Sequence, residues 1–110
     1  MAEVLISPLA KADMQESADY ISREKHSPGA AARLVRRFRG EIGSLRDFPG
    51  SGAPLLPPGR GRCAYRFLVC GSYLVFYHTQ ADTVMVDRVL YGRRDYLALL
   101  FGDALTDEKE

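Results

Sequence analysis

Two serine–proline steps, Ser7-Pro8 and Ser27-Pro28, constrain the first half of this chain more than any other feature. Serine accepts a backbone hydrogen bond at a helix N-terminus, and proline at the first helical position lacks only an N–H that the helix cannot pair. Apolar residues recur at helical spacing after each step, to about Lys25 and then from about Gly29 to Arg46. The sequence therefore predicts two helices joined by a short turn, packed as a hairpin.

Strand-like segments lie on both sides of this hairpin. Residues 3–6 are a short apolar run before it, and three further segments follow at residues 63–69, 73–78 and 84–90. The pair Gly71-Ser72 suits a tight turn between two of them. Between residues 48 and 59, prolines and glycines are too dense for a helix, which indicates a loop.

This order of elements predicts an α+β fold. An N-terminal strand and a three-stranded antiparallel meander form a four-stranded sheet, and the helical hairpin covers one face. A short C-terminal helix follows at residues 96–101. We expect a single domain over residues 1–102 and an acidic tail over residues 103–110.

The composition is that of an ordinary globular domain, with 46% hydrophobic and 26% charged residues. No apolar run reaches the roughly 18 residues of a membrane span, and the N-terminus does not resemble a secretory signal. Cys63 and Cys70 have no ligand-like histidine spacing around them, so we predict neither a zinc site nor a disulfide framework. We therefore expect a reduced, cytoplasmic protein with no metal, no cofactor and no membrane partner.

Charge is segregated along the chain, although the net charge is only +1. Residues 1–32 carry three basic and five acidic groups, residues 33–94 carry eleven and four, and residues 95–110 carry one and five. Twelve of the fifteen basic residues are arginine, which holds carboxylates and phosphates in planar two-point contacts. The middle of the chain suits an acidic partner or nucleic acid, although the arginines at 33–39 are also consistent with a solvated helix face.

An ordered set of motifs resembles the RelE/ParE superfamily of toxins from bacterial type II toxin–antitoxin modules. It begins with the strand at residues 4–6, the first Ser-Pro step and the Ala-Asp-Tyr-Ile of residues 18–21. It continues with Phe48-Pro49, Tyr65-Arg66-Phe67, the Gly-Ser-Tyr-Leu-Val-Phe-Tyr of residues 71–77 and the Arg-Val-Leu-Tyr-Gly-Arg-Arg-Asp of residues 88–95. The last motif is similar to the ParE-like, or plasmid stabilisation, branch. The resemblance covers residues 4–101.

The resemblance implies a small toxin that is neutralised by an antitoxin encoded beside it, and it leaves two mechanisms open. RelE-like members cleave messenger RNA on the ribosome, whereas ParE-like members inhibit DNA gyrase. In the nuclease interpretation, Arg66 and Arg94 match basic family positions and would contact phosphate, with Tyr91 or His78 in proton transfer. Leu68 and Leu74 stand where the RelE pattern has basic residues, which argues against this interpretation.

Our first choice is therefore a ParE-like inhibitor without catalytic residues, which traps gyrase in its cleaved complex with DNA. Target contacts are then expected in the C-terminal segment, at Arg93, Arg94, Tyr96, Leu97, Leu100 and Phe101. A ParD-like antitoxin with an acidic amphipathic segment is expected to contact Arg33, Arg36, Arg37, Arg66 and Arg88. Pairing of Arg88 with Asp87 or Asp95 would instead make that arginine a structural lock. The alternatives are a ribosome-dependent endoribonuclease and a relic that binds antitoxin without being toxic.

Overall fold

The structure, a computed structural model, describes residues 2–55 and 65–92 of the chain. In chain order its elements are β1 (Glu3–Ile6), α1 (Pro8–Glu24), α2 (Pro28–Ser44), β2 (Ala53–Pro54), β3 (Tyr65–Cys70), β4 (Tyr73–Gln80) and β5 (Thr83–Tyr91). Two consecutive helices beside one sheet make the α+β class that was predicted.

Both helices begin at the predicted serines. The Ser7 hydroxyl accepts a hydrogen bond from the Ala10 N–H at 3.0 Å, and the Ser27 hydroxyl accepts one from the Ala30 N–H at 3.2 Å. Proline follows each of these serines in the first turn. The predicted hairpin is confirmed, because α1 and α2 pack against each other. Neither of these described helices is long and apolar enough to cross a membrane.

The sheet has five strands in the order β1-β5-β4-β3-β2, so the predicted four-stranded sheet was wrong. The additional strand, β2, lies in the segment interpreted as a loop and pairs antiparallel with β3, Pro54 opposite Arg66. Proline fits there because an edge strand has one side free of ladder hydrogen bonds. The predicted meander β3-β4-β5 is confirmed, and β1 joins it parallel to β5. The predicted C-terminal helix at 96–101 and the acidic tail lie outside the described residues.

The two faces of the sheet carry separate apolar clusters. The helical hairpin covers one face, which we call the helix face. The apolar cluster between this face and the helices has ten buried residues in the described part of the chain: Ala10, Phe38, Ile42, Leu45, Cys70, Val75, Tyr77, Val84, Val86 and Val89. The opposite face, here the distal face, has a smaller cluster made of Leu55, Phe76 and Leu90, bordered by Tyr65, Phe67 and Leu74. Side chains alternate between the two faces along each strand, so the register assigns each polar strand residue to one face.

A β-bulge in β5 interrupts this alternation. Phe76 of β4 lies opposite Arg88, whereas the next residue, Tyr77, lies opposite Val86, so Asp87 is the extra residue. A bulge bends its strand and changes the direction of the side chains around it. Asp87 and Arg88 are therefore placed where a regular strand would not put them.

Candidate functional site

The bulge is held in place by α1 and β4. The Ser7 hydroxyl donates a hydrogen bond to the Asp87 carbonyl oxygen at 2.8 Å, in addition to capping α1. His78 Nδ1 lies 2.7 Å from Asp87 Oδ2, and the imidazole ring makes an edge contact with Tyr65, with 5.5 Å between ring centroids. His78 is thus a half-buried residue whose ring is fixed by a carboxylate, and no described residue forms a hydrogen bond with its second nitrogen, Nε2.

Arg88 forms a two-point ion pair with Asp13 of α1. Its Nε and Nη2 donate to the two Asp13 carboxylate oxygens at 2.8 and 3.0 Å, and the Val89 N–H donates to the same carboxylate at 2.9 Å. Only 20% of the Arg88 side chain and 11% of the Asp13 side chain are exposed. The hydrogen bonds that Arg88 donates to Asp13 raise the pKa of its guanidinium above the ordinary value.

The strand pairing explains why Asp13 is needed there. β1 pairs with β5 only as far as Val86, because the chain then turns into α1 at Ser7. Beyond that point no described strand pairs with this edge of β5, so its backbone donors have no partner among the described strands. Asp13 accepts from one of these donors, Val89 N–H, and binds Arg88 at the same time. The predicted structural lock at Arg88 therefore exists, but Asp87 as its partner was wrong, and Asp95 lies outside the described residues.

Arg66 is also bound within the fold. Its Nη1 donates to the Gly52 carbonyl oxygen at 2.9 Å, and the Gly52 N–H donates to the buried Tyr77 hydroxyl at 2.9 Å. A Cβ at this glycine would lie 2.6 Å from the Tyr77 hydroxyl oxygen and 2.7 Å from the Phe67 carbonyl oxygen. Glycine is therefore required at position 52, and Arg66 helps to hold the segment before β2 on the helix face.

An open pocket of about 450 Å³ lies beside Arg66, between the end of α2 and the β4–β5 turn. Its charged lining residues are Arg46, Arg66, Asp47 and Asp82. Two guanidinium groups and two carboxylates give the pocket no net charge that would select one class of ligand. Within the described ranges, no group of three or more histidine, cysteine and acidic side chains could hold a metal ion.

The structure does not bring the described members of the alternative nuclease set together. Arg66 lies opposite Tyr77, on the helix face, whereas His78 lies opposite Tyr65, on the distal face. Tyr91 lies opposite Tyr73 at the other end of β4, about 17 Å from His78 at a rise of 3.3 Å per residue. The fourth member, Arg94, lies outside the described residues. These residues form no shared site among the parts of the chain that the structure describes.

The two leucines that argued against a nuclease occupy different faces. Leu68 packs against the core on the helix face. Leu74 packs with Phe76 and Leu90 on the distal face. Both side chains therefore have packing roles, and a basic residue at position 68 would be placed against the apolar core.

Three predicted antitoxin contacts, Arg33, Arg36 and Arg37, are exposed on α2 and form what we call the arginine row. No carboxylate in the described ranges forms an ion pair with them. The two helices also differ in charge, because α1 carries four acidic and two basic side chains, whereas α2 carries four arginines and one glutamate. The arginine row is thus a positive surface to which no described carboxylate is paired.

Arg37 has one further neighbour, the thiol of Cys70 in β3. Burial raises the pKa of this thiol above its ordinary value of 9.0, and the positive charge and hydrogen bond of Arg37 oppose that change. The guanidinium also lies against the β3–β4 turn, where a Cβ at Gly71 would be 3.5 Å from Arg37 Nη1. Arg37 therefore connects the arginine row to the end of the sheet.

Comparison with known families decides where this chain belongs. A family model described as the ParE toxin of the type II toxin–antitoxin system parDE matches residues 4–96. The chain belongs to the ParE toxin family. The resemblance to RelE/ParE toxins is thereby confirmed, and membership implies an antitoxin as the natural partner.

A solved structure with a similar fold comes from a ParDE system. It is a chain of the chromosomal ParDE toxin–antitoxin system from P. aeruginosa, with a TM-score of 0.66 and 17% sequence identity. The alignment covers 83% of this chain and 96% of that one. At this identity the similarity supports the ParE fold and no further property. No curated protein sequence matches the chain.

For this ParE-family chain, the predicted target contacts remain predictions. All of them lie outside the described residues, namely Arg93, Arg94, Tyr96, Leu97, Leu100 and Phe101. The structure describes the chain up to Gly92, whose N–H donates to the Ser72 carbonyl oxygen at 2.8 Å.

Sequence reasoning missed Asp13, the residue that binds Arg88. The two residues are separated by 75 positions, and Asp13 stands in a helix that also has three other acidic side chains. No local motif distinguishes it from those neighbours. Its role depends on where β1 ends beside β5, which only the assembled sheet reveals.

Proposed function

We propose that this ParE-family toxin inhibits DNA gyrase and is neutralised by a cognate ParD-like antitoxin. The observation that carries this proposal is the separation of Arg66, His78 and Tyr91 over two faces and both ends of the sheet. Metal-independent RNA cleavage needs a base, an acid and a phosphate contact around one bond. An inhibitor that acts by binding needs no such convergence.

The proposed antitoxin surface is centred on the arginine row. Its exposed guanidinium groups form no ion pair with a described carboxylate, so they can bind acidic side chains of a partner without first breaking such a pair. Arg66 and Arg88 were predicted in the same role, and their part in antitoxin binding stays a prediction. Because they bind Gly52 and Asp13, loss of either side chain would also disturb the fold.

The proposed gyrase contacts are those inferred from the sequence, the arginine pair Arg93-Arg94 and the apolar side chains of Tyr96, Leu97, Leu100 and Phe101. Arginines beside apolar anchors are typical of the residues that contribute most to protein interfaces. In this proposal they contact gyrase in its cleaved complex with DNA.

One observation favours the ribosome-dependent endoribonuclease as a second candidate. The contact between His78 Nδ1 and Asp87 Oδ2 orients the imidazole as a carboxylate orients a general base. A partner surface, such as the ribosome, would then have to supply the phosphate contacts that the described residues do not place near His78.

A purified-component assay distinguishes these functions. The toxin is added to gyrase, supercoiled plasmid and ATP, and linear DNA is quantified after denaturation of the protein. We expect cleaved plasmid to accumulate, and equimolar antitoxin to abolish the effect. The double variant Arg93→Ala/Arg94→Ala should lose activity, whereas Arg39→Ala, which changes an exposed arginine of α2, should retain it.

The same preparations are tested on translating ribosomes, with message cleavage mapped by primer extension. Message cleavage that is lost in His78→Ala, without plasmid cleavage, would establish the nuclease instead. A protein that binds antitoxin but has neither activity would be the non-toxic relic.

A further inference from the structure

A groove lies at the end of the sheet beside the C-terminal half of α1. Three tyrosines line it, Tyr20 from α1 and Tyr73 and Tyr91 from the paired ends of β4 and β5, together with Ile21 and Val89. Its volume is about 670 Å³, which exceeds one side chain and suits a segment of a partner protein. We call it the tyrosine groove.

The floor of the tyrosine groove is already formed without a partner. The ring of Tyr73 makes edge contacts with Phe38, at 5.4 Å between centroids, and with Tyr91, at 5.6 Å. At the side, Asp13 is fixed by Arg88 and by the Val89 N–H. A partner would therefore meet rings whose positions are set by the fold, which lowers the entropy cost of binding.

Two of the three tyrosines have side chains that are exposed to solvent. Tyr20 is 52% exposed and Tyr91 is 38% exposed, although each ring has a large apolar area. Tyrosine is among the side chains that contribute most when a partner buries them, because it adds apolar area with few rotatable bonds. The exposed rings face a concave surface, which is the arrangement expected around an anchor residue.

The charges around the groove favour an acidic occupant. Arg23 and Lys25, at the end of α1, line it, and no acidic side chain in the described ranges forms an ion pair with either of them. The Asp13 carboxylate is already neutralised by Arg88, which leaves Glu16 as the other acidic lining residue. With Asp13 and Arg88 counted as a neutral pair, the described lining keeps two positive charges, Arg23 and Lys25, and one negative charge, Glu16.

The tyrosine groove is continuous with the arginine row. Arg37 lies against Gly71 on one side of the β3–β4 turn, and Ser72 of the same turn lines the groove. Phe38, the next residue of α2, contacts Tyr73 in the floor. A single extended segment can therefore lie along the arginine row and reach the groove at the turn.

We propose that the tyrosine groove binds a large apolar side chain of the antitoxin, flanked by carboxylates that contact Arg23 and Lys25. This inference rests on the proposed neutralisation by an acidic antitoxin segment, and it adds the anchor that such a segment uses. The carboxylates of the same segment follow the arginine row, and the apolar side chain enters between Tyr20 and Tyr91.

The test uses the full-length toxin and the antitoxin encoded in the neighbouring reading frame, with affinity measured by titration calorimetry. Truncation of the ring in Tyr20→Ala should weaken binding by about tenfold or more, the usual range for a central interface aromatic. Tyr20→Phe, which keeps the ring, should bind within about twofold of the unmodified protein. Leu9→Ala is the matched control, because Leu9 is an exposed apolar residue of the same helix, 61% exposed, and does not line the groove.

The proposed contacts between antitoxin carboxylates and the two basic rim residues are tested by the double variant Arg23→Gln/Lys25→Gln. This variant should bind more weakly at low salt and should show a shallower dependence of affinity on salt concentration. Circular dichroism melts of all variants should match the unmodified toxin, since the altered side chains are exposed. A pure folding defect would lower the melting temperature and the binding-competent fraction, whereas loss of the anchor changes only the affinity.

Equal affinities for Tyr20→Ala and the unmodified toxin would overturn the proposal while leaving neutralisation by the antitoxin intact. A shift of the free toxin from dimer to monomer in Tyr20→Ala, with unchanged antitoxin affinity, would assign the groove to a second copy and also overturn it. Restored affinity of Tyr20→Ala on deletion of residues 103–110 would assign the groove to the chain's own acidic tail, again against the proposal. Failure of the unmodified pair to form a complex would overturn the proposed function itself.

Discussion

Arginines in two regions of this molecule have different roles, although the sequence presents them alike. On α2, Arg33 and Arg36 are exposed and have no ion-pair partner in the described ranges. In the sheet, Arg66 and Arg88 are half-buried and bound to Gly52 and Asp13. The first pair is available to a partner protein, and the second pair holds the fold together.

The difference arises from backbone groups that the sheet leaves without strand partners. The Gly52 carbonyl precedes an edge strand of two residues, and the Val89 N–H lies on β5 beyond the last residue paired with β1. Burying such groups without a hydrogen bond costs free energy, so side chains near them are recruited as partners. On the exposed surface of α2 the helix satisfies its own backbone, and Arg33 and Arg36 have no ion-pair partner among the described residues.

The largest effect is expected at Asp13. In Asp13→Ala, the Arg88 guanidinium loses both carboxylate contacts and the Val89 N–H loses its acceptor. Breaking one side of a largely buried ion pair costs about 3 kcal/mol, and urea unfolding should show this decrease in the free energy of unfolding. Glu16→Ala is the control, because that exposed carboxylate accepts no described hydrogen bond, and it should stay within about 0.5 kcal/mol. Equal stability of the two variants would show that Asp13 is no lock and that the contrast between the two regions is invalid.

The sequence predicted the features that depend on near neighbours along the chain. Ser7 and Ser27 mark the two helix starts because cap and proline chemistry acts within one turn. Strand alternation and the Gly71-Ser72 turn similarly predicted the meander. β2 was missed because Pro54 is typical of a loop. The pairing of β2 with β3, which makes this segment an edge strand, depends on the assembled sheet.

Less of the candidate site could be predicted. Arginine content correctly indicated positive surface on α2, where each residue's environment follows from helical spacing. The partners of Arg66 and Arg88 could not be inferred, because they depend on where β1 ends and on the bulge at Asp87. The tyrosine groove was also missed, since its walls come from α1 and from strands that are distant from it in the sequence.

An intermediate effect is expected when the charge of the arginine row is reversed. Arg33→Glu/Arg36→Glu should leave the free energy of unfolding within about 0.5 kcal/mol of the original, because both side chains are exposed and form no ion pair with a described residue. Affinity for the antitoxin should fall by about tenfold or more at low salt, mainly through slower association. Surface plasmon resonance at several salt concentrations measures both quantities. A stability loss comparable to that of Asp13→Ala would instead place these arginines with the structural pair.

The smallest effect concerns Arg37, which belongs to both regions because it is exposed yet contacts the buried Cys70 thiol. Burial raises the pKa of Cys70 in the folded chain above its ordinary value of 9.0, so the folded state keeps its proton where the unfolded state loses it. The resulting stabilisation is present below pH 9.0 and is lost as the pH rises through the folded pKa. Removing the Arg37 charge in Arg37→Gln raises that pKa further, and the loss of stability should extend to higher pH.

Urea unfolding between about pH 8 and pH 11 tests this in a Cys63→Ser background, with Cys70→Ala as the reference from which the titration of tyrosines and lysines is subtracted. After this subtraction, the slope of the free energy of unfolding against pH cannot exceed about 1.4 kcal/mol per pH unit for one thiol. We expect the slope for Arg37→Gln to differ from that of its parent by a few tenths of this value. Arg39→Gln, an exposed α2 arginine that does not influence the Cys70 pKa, should leave the profile unchanged. Identical profiles for Arg37→Gln and its parent would mean that Arg37 acts only as a surface residue. It would then belong with Arg33 and Arg36, the α2 arginines that have no ion-pair partner in the described ranges.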